Sequence, residues 1–226
     1  MTDAPSILKT ITIAVVDDHQ VLTDALVLAL GAEADFQIVG VAGTCAAARG
    51  LLTEICPDVL LLDISLPDGD GLQLVPEFKR SCPKTSILVL TSHFDEKTLL
   101  RVIETGVGGF VSKSRPLSEV ITAVRQAAEG EIVMPASLLL ALATRTSRSR
   151  AEYLAQNGHE PLTPREREIL IRLAQGKTGS EIADEFHIAP LTVRTHIRNL
   201  IDKLGVHSRL EAVTHALRQG LINPPI

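Results

Sequence analysis

The sequence contains no long apolar run. The longest runs, such as Val59 to Leu62 and Ile87 to Leu90, are far too short to span a bilayer, and residues 1 to 10 lack the pattern of a signal peptide. These absences argue against a membrane-spanning or secreted chain. We therefore expect a soluble, cytoplasmic protein that has no membrane partner.

Cysteine is scarce as well. The three cysteines, Cys45, Cys56 and Cys82, are odd in number and widely spaced, and none has a Cys-x-x-Cys partner or a histidine at metal-ligand spacing. We expect reduced thiols that are mostly buried.

An excess of positive charge is also missing, because the formal net charge is -5. The acidity is confined to one part of the chain. Residues 1–130 carry 10 Lys and Arg against 17 Asp and Glu, a balance of -7, whereas residues 131–226 carry 12 against 10, a balance of +2. The acidic part is not expected to contact DNA, and any such contact must come from a local face of the other part.

The first part of the chain alternates short β-branched runs with segments of helical period. Such repeats are typical of a parallel sheet that helices cover on both faces. We predict an α/β doubly wound sheet, in which ligands bind at the carboxyl ends of the strands. Its five strands are predicted at Thr10–Val16, Phe36–Val41, Val59–Leu62, Ile87–Thr91 and Gly109–Ser112, and its last helix near Leu117–Glu129.

Helical signals replace the strands after Pro161. Three stretches have capping-box spacing and three glycines follow helical segments: Thr163 to Glu166, Thr178 to Glu181, Ser208 to Glu211, Gly176, Gly205 and Gly220. The predicted helices are Pro164–Gln175, Gly179–His187, Pro190–Leu204 and Arg209–Gln219. We therefore predict a domain over residues 1–130, a linker over 131–160 with a short helix near Ile132–Leu142, and a small all-α four-helix domain over 161–226.

Polar side chains stand at the ends of four predicted strands. They are Asp17 and Asp18, Asp63, Thr91 and Lys113. Parallel strands would bring them to one edge of the sheet, where three carboxylates repel one another unless a hard divalent cation and an ammonium group offset their charge. Each residue alone has an ordinary structural explanation, but together they predict a site for Mg2+ and a phosphoryl group.

The motifs around these residues resemble those of the receiver domain, which has a flavodoxin-like fold. The matching segments are Val15 to His19, Leu61 to Gly71, Thr91-Ser92 and Lys113. The resemblance implies that Asp63 takes a phosphoryl group from a phosphohistidine of a sensor histidine kinase. Ser114 follows Lys113 where the family commonly has proline, so the conformation of that loop stays open.

The resemblance also implies roles for the neighbouring residues. It implies that Asp18, Asp63 and the backbone carbonyl of Ser65 hold Mg2+ or Mn2+, with Asp17 acting through water, while Lys113 stabilises charge on the transferred oxygens. Thr91 would hydrogen-bond the phosphoryl group. Phe110 matches the aromatic residue that repacks with Thr91, although ordinary core packing explains Phe110 equally well.

The third predicted C-terminal helix has a polar and basic outer face. Its apolar residues recur at helical spacing towards the bundle, and the face opposite carries Thr192, Arg194, Thr195, Arg198 and Asn199. Arginine can pair with guanine, and asparagine with adenine or phosphate, in a major groove. A solvated amphipathic helix would show the same pattern.

A second resemblance decides between these interpretations. The segments Leu162–Leu170, Glu181–Ala183, Thr192–His196 and Lys203–Val206 resemble the LuxR-type helix-turn-helix. The resemblance implies groove reading by Arg194, Thr195 and Arg198, and Lys177 and Asn199 fit phosphate contacts. Ala189 departs from the family's usual serine cap, and Leu191 stands where a polar or charged residue is common.

A receiver joined to this module is the NarL/FixJ arrangement of response regulators. It implies a transcription factor, not an enzyme, that phosphorylation on Asp63 activates and that binds double-stranded DNA as a homodimer. The dimer contact is placed on the last helix, where an apolar stripe of Ala212, Val213, Ala216 and Leu217 has core packing as its alternative.

Two other functions remain open. An aspartate-nucleophile phosphatase would also use Asp63, but its pattern needs a second acid two residues later, where this chain has Ser65. Alternatively, the first domain dimerises or senses a ligand without phosphorylation.

Overall fold

In the computed structural model of the chain, the described residues are 10–92, 98, 101–103, 105–134 and 162–222. The chain divides into two compact units, Met1–His93 with Val111–Ala128 and Phe94–Phe110 with Glu129–Ile226. The predicted linker and its short helix lie almost entirely outside the described residues. The predicted domain boundaries therefore stay predictions.

Five strands form a parallel sheet in the first part of the chain. In sequence they are β1 (Ile11–Val16), β2 (Phe36–Ala42), β3 (Val59–Asp63), β4 (Ser86–Thr91) and β5 (Gly109–Ser112), and their order in the sheet is β2-β1-β3-β4-β5. The predicted doubly wound sheet is confirmed, and each predicted strand agrees with the observed one to within one residue at either end. The strand order reverses at β1 and β3, which is where this architecture binds its ligands.

The strands are apolar because the sheet is covered. All residues of β3 are buried, which is the pattern of a central strand with helices on both faces. The helices of this part whose bounds the structure describes are α1 (Gln20–Gly31), α2 (Cys45–Glu54), α3 (Val75–Ser81) and α4 (Leu117–Ala128). Within the described part of the chain, no helix is both long and apolar enough to cross a membrane.

A tight turn follows β3. Ser65–Leu66 pairs antiparallel with Gly69–Asp70, and a 3-10 helix covers Gly71–Leu74. The amide of Gly71 donates to the carbonyl of Ile64 at 2.9 Å. A Cβ atom at position 71 would lie 2.1 Å from the carbonyl oxygen of Asp63, so only glycine fits there. This turn fixes the backbone directly after Asp63.

Residues 162–222 form four helices. They are α5 (Pro164–Ala174), α6 (Gly179–Phe186), α7 (Pro190–Leu204) and α8 (Arg209–Arg218), within one residue of the predicted ends. Three glycines after these helices have positive φ, as their C-cap positions predict: Gly176, Gly205 and Gly220.

Local hydrogen bonds set the starts of these helices. Thr163 with Glu166 and Thr178 with Glu181 form complete capping boxes. The third predicted box is half formed, because the Ser208 hydroxyl accepts from the amide of Glu211 but the Glu211 carboxylate accepts from His207. The amino end of α7 has no side-chain cap at Ala189, and Pro190 occupies its first turn.

Glu166 joins α5 to α7. Its carboxylate accepts from the amide of Thr163 at 2.8 Å and from Lys203 Nζ at 3.1 Å, and only 3% of the residue is exposed. Burial raises the pKa of Glu166, but the hydrogen bonds from Thr163 and Lys203 outweigh burial and hold this pKa below its ordinary value.

The expectation of reduced, mostly buried cysteines is wrong for two of the three. Cys56 and Cys82 form a disulfide, with their Cα atoms 5.4 Å apart, and Cys56 is exposed. Cys45 is the free, buried cysteine. The pair escaped the sequence pattern because 26 positions separate its members, and only the packing of α3 beside the chain before β3 brings them together.

Candidate functional site

Acidic side chains converge at the carboxyl ends of β1 and β3. Asp17 and Asp18 directly follow β1, and Asp63 is the last residue of β3. Ligand atoms of these three residues and of His19 all lie within 4.8 Å of one another. Asp17 and Asp63 are 3% and 2% exposed, whereas 34% of the Asp18 side chain is exposed, so the cluster opens to solvent on the side of Asp18 and His19.

Lys113 balances part of this charge. Its Nζ atom lies 2.7 Å from Asp17 Oδ2 and 2.7 Å from Asp63 Oδ2, and only 9% of its side chain is exposed. Burial lowers the pKa of Lys113, but the contacts with Asp17 and Asp63 outweigh burial and raise this pKa above its ordinary value. The ammonium group therefore stays charged at neutral pH beside the carboxylate of Asp63.

The turn after β3 orients the Asp63 carboxylate. Asp63 Oδ1 accepts from the amide of Ser65 at 3.1 Å, while Oδ2 accepts from Lys113. Asp68 ties the same turn to α2, since its carboxylate accepts from the amides of Cys45 at 2.7 Å and Ala46 at 2.9 Å. These two backbone amides, with Ala46 the stronger influence, lower the pKa of Asp68.

His19 is the member of the cluster that the sequence did not predict as a site residue. Its Nδ1 atom lies 2.9 Å from Asp18 Oδ1 and 3.2 Å from Asp17 Oδ1. It precedes α1, and 63% of its side chain is exposed. Its place directly after the two aspartates in the sequence was the only signal available.

Thr91 and Phe110 lie on the last two strands. Thr91 ends β4, is 5% exposed, and its carbonyl accepts from the amide of Lys113 at 2.9 Å. Thr91 is therefore held beside the strand end that carries Lys113. Phe110 is 3% exposed, in agreement with a packing role, and its role as a switch stays a prediction.

The oxygen ligands of this cluster fit a hard divalent cation. Asp17, Asp18 and Asp63 bring three carboxylates together against one buried ammonium group, which leaves net negative charge in a small volume. Mg2+ prefers oxygen ligands and one or two carboxylates together with water. The acidic cluster can therefore hold a metal ion.

A different surface lies on α7. Four of its apolar residues are buried in the bundle: Val193, Ile197, Leu200 and Leu204. The five residues predicted for DNA contact on this helix are all exposed, and they are Thr192, Arg194, Thr195, Arg198 and Asn199. The structure therefore gathers the predicted contacts of α7 on its solvent side.

Lys177 lies apart from that helix face. It sits between α5 and α6, and its ammonium group pairs with Glu185, which also pairs with Arg172 at 2.6 Å. These two cations together lower the pKa of Glu185, Lys177 more than Arg172. A phosphate contact by Lys177 would have to compete with Glu185, and it stays a prediction.

The apolar stripe of α8 is part of the core. Ala212, Val213 and Ala216 are 0% exposed and Leu217 is 4% exposed. The interpretation of this stripe as a dimer contact is wrong, since the side chains are already covered within the chain.

Comparison with known proteins assigns a family to each of the two parts of the chain. Residues 13–125 match the family model of the response regulator receiver domain, and residues 160–216 match that of bacterial regulatory proteins of the luxR family. The response regulator protein VraR of Staphylococcus aureus is 33% identical over 213 residues, which cover 94% of this chain and 99% of that protein. The chain belongs to the two-component response regulators that combine a receiver domain with a LuxR-type DNA-binding domain.

Solved structures show the same fold. A two-component response regulator of the LuxR family from Aurantimonas sp. SI85-9A1 is 26% identical, with a TM-score of 0.52 over 55% of this chain and 89% of that one. The RcsB response regulator of Salmonella typhimurium is 24% identical, with a TM-score of 0.53 over 91% of this chain and 98% of that one. The second likeness concerns the fold alone.

Proposed function

We propose that Asp63 accepts a phosphoryl group from a phosphohistidine of a sensor histidine kinase and that this modification controls DNA binding by α7. The observation that carries the proposal is the buried Asp63 carboxylate, which Lys113 contacts at 2.7 Å within a cluster of three acids. The reaction takes place in the cytoplasm, where both a kinase domain and DNA are within reach.

Asp18, Asp63 and the backbone carbonyl of Ser65 would hold Mg2+ or Mn2+, with Asp17 acting through water. The three carboxylates of the cluster support this ligand set, because the single Lys113 ammonium cannot balance them. The ion would supply stabilisation of the charge on the oxygens of the transferred group.

The chain's own residues perform the transfer. A carboxylate oxygen of Asp63 forms a bond to phosphorus as the bond from phosphorus to the imidazole nitrogen of the donor breaks, and that nitrogen keeps the electron pair. The amide of Ser65 donates to Asp63 Oδ1 and so fixes the orientation of the carboxylate. Lys113 donates to Asp63 Oδ2, so its ammonium group lies close enough to pair with the oxygens of the transferred group. Thr91, held by its carbonyl beside Lys113, would donate its hydroxyl to the bound group.

The exposed face of α7 would enter the major groove. Arg194, Thr195 and Arg198 would read base edges, while Asn199 and Lys177 would contact phosphates. One small module of modest charge binds DNA weakly, so phosphorylation would act by holding two copies of the chain together on two half-sites. The residues of the buried α8 stripe are covered within the chain, so they do not support the placement of this contact on α8.

The chain would act as a phosphoryl acceptor and not as a phosphatase. An aspartate-nucleophile phosphatase needs a second acid two residues after its nucleophile, and this chain has Ser65 at that position. The contact of Ser65 with Asp63 is a hydrogen bond from its backbone amide. Sustained hydrolysis of phosphate esters by the purified protein would contradict this.

The test is incubation of the full chain with Mg2+ and acetyl phosphate, followed by intact-mass measurement. The wild type should gain one phosphoryl group, and Asp63→Asn should gain none. Asp70→Asn is the matched control, because Asp70 lies on the same turn and its role as a cap for Leu72 tolerates asparagine. Equal phosphorylation of Asp63→Asn and wild type would contradict the assignment. Sedimentation and DNA binding with and without phosphodonor then test whether the phosphorylated chain dimerises and binds more tightly.

A further inference from the structure

A buried carboxylate occupies the amino end of α6. Glu131 belongs to the same compact unit as α6 and α8 and is 8% exposed. Its Oε1 atom accepts from the amide of Gly179, the first residue of α6, at 2.9 Å. Its Oε2 atom lies 2.7 Å from Arg209 Nη1.

Arg209 completes this contact. It begins α8 and is 9% exposed, and its second terminal nitrogen donates to the carbonyl of Glu129 at 3.4 Å. One guanidinium group and one helix-terminal amide thus converge on a single anionic group. Amides in the first turn of a helix have no partner within the helix and attract anions, phosphate among them.

The position of this pair favours a DNA phosphate as the external ligand. In a helix-turn-helix the first helix crosses the DNA backbone while the second lies in the major groove. Here α6 precedes α7, whose outer face carries the exposed arginines. Phosphate contacts from helix amino ends and arginines are the usual means by which such domains set their position on the duplex.

We propose that the amide of Gly179 and the guanidinium of Arg209 form a binding site for a phosphate of the DNA backbone, and that Glu131 fills this site as an internal substitute for phosphate. DNA must displace the Glu131 carboxylate before Arg209 can engage the backbone. The contact therefore weakens DNA binding, and displacement of residues 129–134 from α6 and α8 removes the inhibition. The inference rests on the DNA-binding half of the proposed function.

Glu131→Gln, compared with a matched control variant, tests the inference. Glutamine keeps the size of the side chain but removes the ion pair with Arg209. The matched control is Glu129→Gln, which removes the same charge two positions earlier. The side chain of Glu129 is exposed, and the contact of Glu129 with Arg209 is made by its backbone carbonyl, which the substitution keeps. Both variants gain the same general attraction to DNA, so their difference isolates the contact at α6.

The measurement is equilibrium binding of the full chain to a labelled duplex of random sequence without phosphodonor. Such a duplex suffices because a phosphate contact carries no base information. Glu131→Gln should bind at least about fivefold more tightly than Glu129→Gln. Glu131→Asp, which retains the charge but shortens the reach, should shift affinity in the same direction. Equal affinities of the glutamine variants would overturn the inhibition, and a thermal melt of each variant confirms that it is folded.

A second arm tests the phosphate contact itself. Arg209→Gln, placed in the Glu131→Gln background, should reverse the gain and reduce the slope of log affinity against log salt concentration by about 0.9. An unchanged slope would overturn the role of Arg209 as a phosphate ligand. Since no phosphodonor is present, a failure of Asp63 phosphorylation does not enter either arm and is distinguished by the mass measurement above.

Discussion

The acidic cluster and the outer face of α7 are built in opposite ways. The cluster takes residues from Asp17 to Lys113, which only the folded sheet brings together, and it buries two of its three carboxylates. The face of α7 takes its residues from one helix, between Thr192 and Asn199, and all five are exposed.

This difference fits what each site is proposed to bind. A small phosphoryl group and a metal ion need charges held at fixed positions in a region of low dielectric, where each charge acts strongly. A DNA duplex supplies its own dense negative charge, so the protein needs only a rigid helix that presents free cations. Lys113 offsets only part of the charge in the cluster, so the cluster should be sensitive to the loss of a single carboxylate, whereas the face of α7 carries exposed cations for which DNA is the proposed partner.

The largest effect is expected in the acidic cluster, from Asp18→Asn. The change should weaken Mg2+ binding by more than about 100-fold, because even second-shell changes cost 10 to 100-fold. Without Mg2+ the same change should raise thermal stability, since it relieves repulsion among three carboxylates. Calorimetric titration and thermal unfolding with and without Mg2+ measure both effects.

Asp24→Asn provides the control for charge alone. Asp24 is an exposed residue of α1 whose carboxylate accepts from Gln20. This variant should bind Mg2+ as the wild type does. Equal Mg2+ affinity and equal thermal stability of Asp18→Asn and Asp24→Asn would contradict the proposed contribution of Asp18 to the charge of the cluster.

An intermediate effect is expected on the face of α7. Arg194→Ala and Arg198→Ala should each weaken binding to a selected operator by about 1–3 kcal/mol and relax base preference at one position. Lys177→Ala should have a smaller effect on affinity, because Lys177 is already paired with Glu185. This effect should be equal for all DNA sequences, because a phosphate contact carries no base information. Binding isotherms on selected and scrambled duplexes provide the measurement.

The matched control is Arg115→Ala, which removes one exposed arginine from an ion pair with Glu119 in the first unit. It should leave operator affinity nearly unchanged. Wild-type affinity in both α7 variants would remove this helix from the interface.

Sequence patterns predicted most of this architecture because its signals are local. Capping boxes, C-cap glycines and the apolar period of α7 each depend on residues within one or two turns, and the helices agree with them. The strand ends were equally clear, and their parallel pairing was enough to bring Asp17, Asp63 and Lys113 together. Phosphorylation and metal binding at that cluster remain predictions.

The remaining features depend on tertiary packing. The disulfide of Cys56 and Cys82 joins residues that no spacing rule connects. Lys177 has the charge of a phosphate ligand, but its neighbour in space is Glu185 from α6. The apolar period of α8 was correct, yet a period shows only that a face is apolar and not whether the same chain already covers it.

The smallest effect concerns Leu191, an apolar departure on an otherwise polar face. It is the second residue of α7 and 70% exposed. Amino-terminal residues of a recognition helix contact base edges, and an apolar side chain there can contact the C5-methyl group of thymine. We expect Leu191 to favour thymine at one position of the operator.

Replacement of single thymines by deoxyuridine removes only that methyl group. At the position that Leu191 contacts, the wild type should lose about 0.8 kcal/mol of binding free energy, the value of one buried methylene-sized group. Leu191→Ala should bind the thymine and deoxyuridine duplexes equally, because its shorter side chain no longer reaches the methyl. Deoxyuridine outside the protected half-site is the control for altered duplex shape. A loss of the same size in wild type and Leu191→Ala would assign the thymine preference to another residue. The one large exposed apolar side chain of α7, Leu191, would then not contribute to base recognition.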